Sequence, residues 1–488
     1  MLEAPDARPA EESAADLGGY RQELKRTLGP SQVFAISFAF ISVAVGVFGT
    51  YDDVLRTAGP VGIWLWVIAA VGQTLVALVI AQFAARISLT GSSYQWASRL
   101  ANPRIGWGFG WLSFCFLGIS VVAVDNALAS QAFMPLVGLA PDESTARVIT
   151  LIVLLIQAVL AIASTRIVGI FNACAVGVEI VIVGVLVIAL LIAVAVTGLG
   201  SVDNLTSRGV TAGDAGYFGI GGGLMLAMLM GLSTLTGFDA AANLAEEAKD
   251  PYRNVPRAIV GSVVAAGVLG LLFLIALTVA IPDVTRISQS GSPVAAILRE
   301  QLGPLMEAAL LVAITFAFFA CGMVTMATGA RLVFAMARDA RFPAHRLMRR
   351  VDPRTQTPIP ATILIFAGGI VLMVAVPGEA LLALITASTV LIVLIYGATV
   401  VLYLAVRRQL DRKEGVFDLG RFELPVAIIA LVWLAVALFV LVTPGAALVP
   451  VLIAGGLMLV GGLFFLGILM FDRKSLDNEP DAATVSTH

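Results

Sequence analysis

Charge is what this sequence has least of. Asp, Glu, Lys and Arg together make up 13% of its 488 residues, about half the share found in a soluble domain. Most of the chain must therefore sit where an ionised group is expensive, and a soluble globular protein is excluded. The formal net charge of −2 identifies no partner by itself, and no nucleic acid is expected. Cysteine is scarce as well. Cys115, Cys174 and Cys321 all fall inside apolar runs, where small core-type residues are expected rather than a disulfide or a thiolate metal site. The two histidines, His345 and His488, lie in polar segments, which excludes a membrane-buried histidine relay or a haem ligand. There is no G-x-x-x-x-G-K-[ST] loop to cradle a nucleotide, so a nucleotide-driven pump is disfavoured. Without a nucleophile–base pair or a metal-ligand spacing, no enzymatic activity, metal or cofactor is expected. Residues 1–30 lack the apolar core and small-residue cleavage site of a signal peptide, so the first span reads as an uncleaved anchor.

What the chain has instead is apolar length. Hydrophobic residues reach 59%, and runs of 18 or more recur from Ser31 to Phe471, each able to cross a hydrocarbon core of about 30 Å. The runs are continuous rather than alternating, which indicates helices and not barrel strands. Twelve spans are expected, at roughly 32–57, 61–85, 105–135, 147–165, 168–197, 217–240, 258–281, 304–335, 359–376, 380–405, 424–443 and 447–471. This spacing sorts 25 basic residues to the N-terminal side and leaves only Arg56, Arg147, Arg208, Arg286 and Arg299 opposite. The positive-inside rule then places both termini in the cytoplasm, in the cytoplasmic (inner) membrane of a bacterium. The polar tails 1–30 and 472–488 read as disordered, and 31–471 as one membrane domain in contact with lipid. Oligomeric state is not legible.

Two spans carry interruptions. The first reads Ser42-Val43-Ala44-Val45-Gly46-Val47-Phe48-Gly49-Thr50, and the sixth Gly231-Leu232-Ser233-Thr234-Leu235-Thr236-Gly237-Phe238-Asp239. Glycine packing between helices explains such stretches in general. These two, however, occupy matching places five spans apart. A duplication of five helices inverts its second copy, and paired breaks at corresponding positions point to a transporter site. A half-helix starting near Val47 offers free N–H groups and a positive pole to a carboxylate. A half-helix ending near Leu232 offers carbonyls to an ammonium group. Candidate substrate-binding residues are therefore Ala44, Val45, Gly46, Val47, Leu232, Ser233, Thr234, Leu235 and Gly237.

Three further stretches carry a family resemblance. Gly237-Phe238-Asp239, Glu246-Glu247-Ala248-Lys249-Asp250-Pro251 and Asn254-Val255-Pro256-Arg257 resemble the sixth-span signature of the amino acid–polyamine–organocation permeases. Arg331-Leu332-Val333-Phe334-Ala335-Met336-Ala337-Arg338-Asp339 resembles their eighth-span exit, and Gly91-Ser92-Ser93-Tyr94-Gln95-Trp96-Ala97 the loop after their second span. The stretch Tyr94–Trp111 is most similar to the bacterial branch that includes GABA and choline carriers. The resemblance implies a five-plus-five inverted repeat, 31–200 and 214–406, with discontinuous helices 1 and 6 and two extra C-terminal helices at 424–471. It also implies alternating access. The chain departs from the pattern in three places. Ala44 replaces a glycine in Gly-x-Gly-Ile-Phe, and its methyl is expected to narrow the carboxylate pocket. Ser233 stands where amino acid antiporters have an aromatic lid. Glu179 stands where a fifth-span lysine is frequent.

The ionisable residues counted within the spans are acidic: Asp52, Asp53, Asp125, Glu179 and Asp239. Intramembrane carboxylates are functional hypotheses by default. Glu179 lies about 12 residues, or roughly 18 Å, from the nearer end of its span and hence near the midplane. It is the expected coupling residue, loading and releasing a proton as the site opens to each side. Two alternatives stay open: an ionised Glu179 holding Na⁺ with Thr325 and Thr328 of the eighth span, or a structural hydrogen bond. Asp239 and Glu247 are expected at the inner gate. The function so read is proton-coupled transport of an amino acid or related small amine. The alternative is an exchanger or Na⁺-coupled carrier for an organic cation such as choline or a polyamine. A channel would not need paired breaks.

Overall fold

The structure is a computed structural model and describes residues 28–87, 92–163, 165–352, 354–355, 357–376, 380–410, 417–443 and 448–471. The polar tails fall almost wholly outside these residues. Among the described residues there is no strand. Eleven helices are long and apolar enough to cross a membrane, and Ile359–Ala375 is a shorter apolar one. At 1.5 Å per residue its 17 residues reach roughly 26 Å, a little short of a typical hydrocarbon core. Large apolar side chains face outward along the helices: Val148 is 57% exposed, Ile188 61% and Val374 76%. Such a surface is stable against lipid and not against water. The chain is an all-α, multi-pass membrane protein of about twelve helices.

The first span is two helices, α1 (Pro30–Ile41) and α2 (Val43–Thr57). The second and third spans are α3 (Leu65–Arg86) and α5 (Pro103–Ala127), with the shorter α4 (Ser92–Leu100) between them. Next come α6 (Glu143–Ala163) and α7 (Thr165–Thr197). The sixth span holds α8 (Met228–Thr234), followed by 3₁₀ turns over Phe238–Glu247. The remaining spans are α9 (Pro251–Val279), α10 (Pro293–Arg338), α11 (Ile359–Ala375), α12 (Ala380–Val406), α13 (Glu423–Val442) and α14 (Leu448–Phe471). The helix α10 bends at Gly303 (φ 81°, ψ 167°). The long helical stretch after the bend therefore starts at Pro304, the residue at which the eighth span is expected to begin. The sixth span is shorter than expected, because helix begins only at Gly223 after a loop of bends and 3₁₀ turns.

Packing sorts the spans into two groups. Spans one, two, six and seven pack on one another through α9 against α3 and α1, and α8 against α3 and α2. Spans three, four, eight and nine do the same through α10 against α5, α6 and α11. The fifth span, α7, lies against α10 and α9, and the tenth, α12, against α5 and α13. Members of each group therefore pair five spans apart.

Near the end of α3, buried Arg86 donates to Gln82 Oε1 at 3.0 Å and to Glu423 Oε2 at 3.4 Å. This ion pair ties α3 to α13 with both side chains almost fully enclosed. A pair so enclosed is costly to form but more costly to leave half-broken.

Candidate substrate site

Both predicted interruptions are real, and they touch. The first falls at Ser42, which adopts left-handed backbone angles (φ 42°, ψ 80°). This is uncommon outside glycine and costs about 1–3 kcal/mol. Its N–H still donates to Phe38 O at 3.1 Å, closing α1, and its carbonyl accepts from Gly46 N at 3.0 Å, opening α2. The N–H groups of Val43, Ala44 and Val45 precede that first helical bond and form the free end of α2. The new half-helix thus begins at Val43 and not near Val47. The other break follows Thr234, with Leu235 N donating to Gly231 O at 3.1 Å. There α8 ends two residues beyond the expected Leu232. Gly237 then turns the chain at φ 79°, and a Cβ there would overlap the Phe40 ring.

Gly46 faces Thr234 so closely that a Cβ on it would fall inside the threonine side chain. The two open helix ends therefore abut. Beside them lies a cavity of about 110 Å³, several times the 10–15 Å³ that seats one water and enough for a small solute. Val45, Gly46, Ser233 and Thr234 line it, together with Thr236, Ser388 and Thr389. Ala44, Val47, Leu232 and Leu235 are fully buried and pack behind it, so the Ala44 methyl does not narrow the pocket. Thr234 is 4% exposed, and among the described residues its hydroxyl has no hydrogen-bond partner.

Glu179 lies on the far side of the same helix end. Its carboxylate accepts from Ala44 N at 3.1 Å, from Val43 N and from the Ser42 hydroxyl. An internal carboxylate therefore caps α2, where the sequence suggests room for a substrate's. It borders a second space of about 10 Å³, walled by Phe40, Ser42, Cys321 and Thr325, and all four also border the larger cavity. Thr325 donates its hydroxyl to Cys321 O at 2.8 Å and also meets the Cys321 thiol. Thr328 donates to Val324 O at 2.8 Å and borders neither space.

Asp239 holds the stretch after the second break. Tyr396 on α12 donates to Asp239 Oδ1 at 2.9 Å while accepting from Gly237 N at 2.9 Å. Ser92 on α4 donates to Asp239 Oδ2 at 3.0 Å. From α1, the Ser37 hydroxyl donates to Phe238 O at 2.8 Å and accepts from Ala241 N at 3.2 Å. Only the backbone of Glu247 is among the described residues. Two residues beyond Ser92, Tyr94 donates to Asp339 Oδ2 at 2.7 Å. Burial, with the Asp339 carboxylate beside it, pushes this phenol above its ordinary range.

The other acids stand apart. Asp125 is fully buried and accepts from Gln157 Nε2 at 2.7 Å. Asp52 lies 3.8 Å from Arg56. Ser42, Ser92, Tyr396, Ser388 and Thr389 are among the site residues that sequence reasoning missed. Polar side chains within the otherwise apolar tenth span were the available signal.

The amino acid permease family model matches residues 28–469, from the start of α1 into α14. The amino-acid permease BAT1 of Arabidopsis thaliana is 26% identical over 442 residues, 85% of each chain. The GABA-specific permease of Saccharomyces cerevisiae is 27% identical over 448 residues, covering 87% of this chain and 76% of the yeast protein. The low-affinity putrescine importer PlaP of Escherichia coli is 26% identical over 357 residues, 72% of this chain and 75% of PlaP. With the match running through both broken spans and the cavity between them, the chain belongs to the amino acid permease family, a transporter and not an enzyme.

Proposed function

We propose that the protein is a secondary active transporter, carrying an amino acid or related small amine into the cell by alternating access with a proton on Glu179. The observation that carries this reading is the pair of open helix ends meeting at a cavity, with a carboxylate already on one of them. The positive pole of α2 is worth roughly half an elementary charge. It stabilises one carboxylate well. A second one, brought by the substrate to the cavity side of the same pole, repels the first unless Glu179 takes up a proton. Substrate and proton then bind together, as symport requires. The relatives named for amino acids, GABA and putrescine support an amine-bearing solute.

In the proposed cycle, 31–200 and 214–406 are inverted copies, and the two packing groups move against each other around the broken spans. Release of Asp239 from Tyr396 and Ser92 opens the inner side. The excess of basic residues on the N-terminal side supports both termini in the cytoplasm and a location in the cytoplasmic membrane. A Na⁺-coupled reading draws on one feature, the small space that Glu179 and Thr325 both border.

Purified protein in proteoliposomes separates the two. Labelled amino acid is expected to accumulate when the lumen is made alkaline, with or without Na⁺, and to leak out when a protonophore is added. Accumulation that needs a Na⁺ gradient and ignores the pH gradient would overturn proton coupling.

A further inference from the structure

Asp125, on α5, is not used by the cycle proposed above, yet its surroundings are specific. The residue is fully enclosed. Its Oδ1 accepts from Gln157 Nε2 on α6 at 2.7 Å, and the same amide nitrogen donates to Phe319 O on α10 at 3.1 Å. Both amide hydrogens are thereby used. The bond to Phe319 also fixes the amide orientation, since the reverse would turn Gln157 Oε1 onto two acceptors. Gly322 on α10 packs against the pair, and a Cβ there would overlap Asp125 Oδ1 and Gln157 Nε2. Among the described residues two oxygens are left over, Asp125 Oδ2 and Gln157 Oε1, both buried and without a partner. Buried polar atoms normally have one. These two belong to the same side chains that the first bond already joins.

No cationic side chain is at hand to pair with an ionised Asp125. On the helices that hold the pair, the nearest arginines are Arg147 and Arg331, ten residues from Gln157 and nine from Gly322, about 15 and 14 Å along their helices. Neighbouring α11 carries no charged residue. The tyrosines on α12, α4 and α2, which also pack on α5, include Tyr396, Tyr94 and Tyr51, engaged by Asp239, Asp339 and Thr278. The titratable group within electrostatic reach on α10 is the Cys321 thiol, which Glu179 also reaches. An enclosed carboxylate without a counter-ion is strongly penalised. A metal cation takes about six oxygens, and two are free. A proton takes two. Bonded to Asp125 Oδ2 and donated to Gln157 Oε1, it satisfies both leftover oxygens and closes a ring with the existing N–H to Oδ1 bond. From this matched pair of orphan oxygens we infer that Asp125 is a second proton-binding site, its proton held between Oδ2 and Gln157 Oε1 in a closed acid–amide pair that joins the third, fourth and eighth spans. Those spans belong to one packing group. On the cycle proposed above the pair therefore moves as a unit and keeps its proton, while Glu179 exchanges one; only this last point rests on that cycle.

The test is infrared difference spectroscopy of the full-length protein in proteoliposomes at neutral pH, wild type minus Asp125→Asn, beside transport and melting of Asp125→Asn and Gln157→Leu. Asparagine keeps the oxygen that accepts from Gln157 and puts an N–H where the proton was, so the ring closes without a titratable group. The difference spectrum is expected to show the C=O band of a protonated carboxyl, unchanged by substrate. Asp125→Asn should fold, transport within about threefold of wild type, a change of well under one hydrogen bond, and carry as many protons per substrate. Gln157→Leu leaves the carboxyl without its partner and should melt below both. Carboxylate bands in place of the acid band overturn the proton, and so does an Asp125→Asn protein that fails to fold or to transport. A Gln157→Leu protein as stable as wild type overturns the pair. Fewer protons per substrate in Asp125→Asn shows that Asp125 gives its proton up during the cycle and overturns the fixed site. If wild-type transport ignores the pH gradient, the coupling on Glu179 falls, while the acid band of Asp125 still decides this inference.

Discussion

Replacing Glu179 by Gln tests the coupling most directly, because glutamine keeps an oxygen for the Ala44 N–H while removing the charge and the proton. In the wild type, an ionised Glu179 and a substrate carboxylate would share the end of α2. Two residues of helical rise separate Ala44 from Gly46, about 3 Å, and the width of the backbone brings the two charges to roughly 7 Å apart. At an effective dielectric of about 20, their repulsion is about 2.4 kcal/mol. That corresponds to nearly two decades in affinity at about 1.4 kcal/mol per decade. Wild-type substrate affinity is therefore expected to fall by up to about sixtyfold as the medium becomes alkaline enough to ionise Glu179. Glu179→Gln should bind with the acid-side affinity at every pH. It should also exchange labelled for unlabelled substrate across a proteoliposome membrane, since exchange needs only the loaded carrier. It should no longer concentrate substrate in response to a pH gradient. A variant that still concentrates substrate, with the wild-type pH profile of binding, would refute the reasoning and leave Glu179 as a structural cap.

Gly46→Ala places a methyl inside the Thr234 side chain; uptake should be lost while size-exclusion behaviour and helicity stay normal, at a stability cost of about 1–3 kcal/mol. Tyr396→Phe removes the hydroxyl that joins Gly237 N to Asp239. The orphaned donor and acceptor should cost about 1–3 kcal/mol, read as a lower melting midpoint with the inner side opening more readily to a cysteine-labelling reagent. Asp142, in the loop ahead of α6, accepts from Thr145 N at 2.7 Å and from the Ser144 and Thr145 hydroxyls, which hold its carboxyl down at about 2. A group depressed in the folded state stabilises above its ordinary value and loses that contribution as pH falls toward the depressed one. Asp142→Ala should lower the midpoint at neutral pH and flatten its decline between pH 3.8 and about 2.

The spans were legible because a hydrocarbon core imposes length and apolarity on every helix that crosses it. The Gly303 bend in α10 falls next to residue 304, where the eighth span was expected to start. The broken spans were legible in place but not in register. Glycine serves two purposes, and the sequence does not say which. Gly237 supplies a positive φ, so its break lies beside it. Gly46 supplies room for Thr234 while its own backbone stays helical, and the break falls four residues earlier, at Ser42. Glu179 stood out as a mid-span acid, yet its partners are main-chain N–H groups about 135 positions away, which no side-chain pattern reveals. Tyr396 and Ser92 meet Asp239 from 157 and 147 positions away, and that meeting exists only once α12 and α4 have packed. Thr325 and Thr328 look equivalent in a helix that could hold a cation. Three residues rotate a side chain by about 300°, and only Thr325 turns toward Glu179.

The acid at position 179 also gives the cycle a consistent charge arithmetic. The end of α2 is a fixed positive pole with N–H donors, so it favours an acceptor and an anion on every limb of the cycle. In the proposed cycle, Glu179 supplies that anion when the site is empty. When the site is full, the substrate carboxylate would supply it, and a proton would have removed the charge from Glu179. The pole faces one carboxylate in both states, and the proton is what permits the internal one to give way to the external one. A lysine at the same place, frequent in the resembling permeases, cannot do this. Its ammonium would meet donors and a like-signed pole, so it could sit there only uncharged, and charging it would weaken the helix end instead of freeing it. On the proposed cycle, the glutamate reverses the sign of the coupling group while its partner, the broken first helix, remains the same.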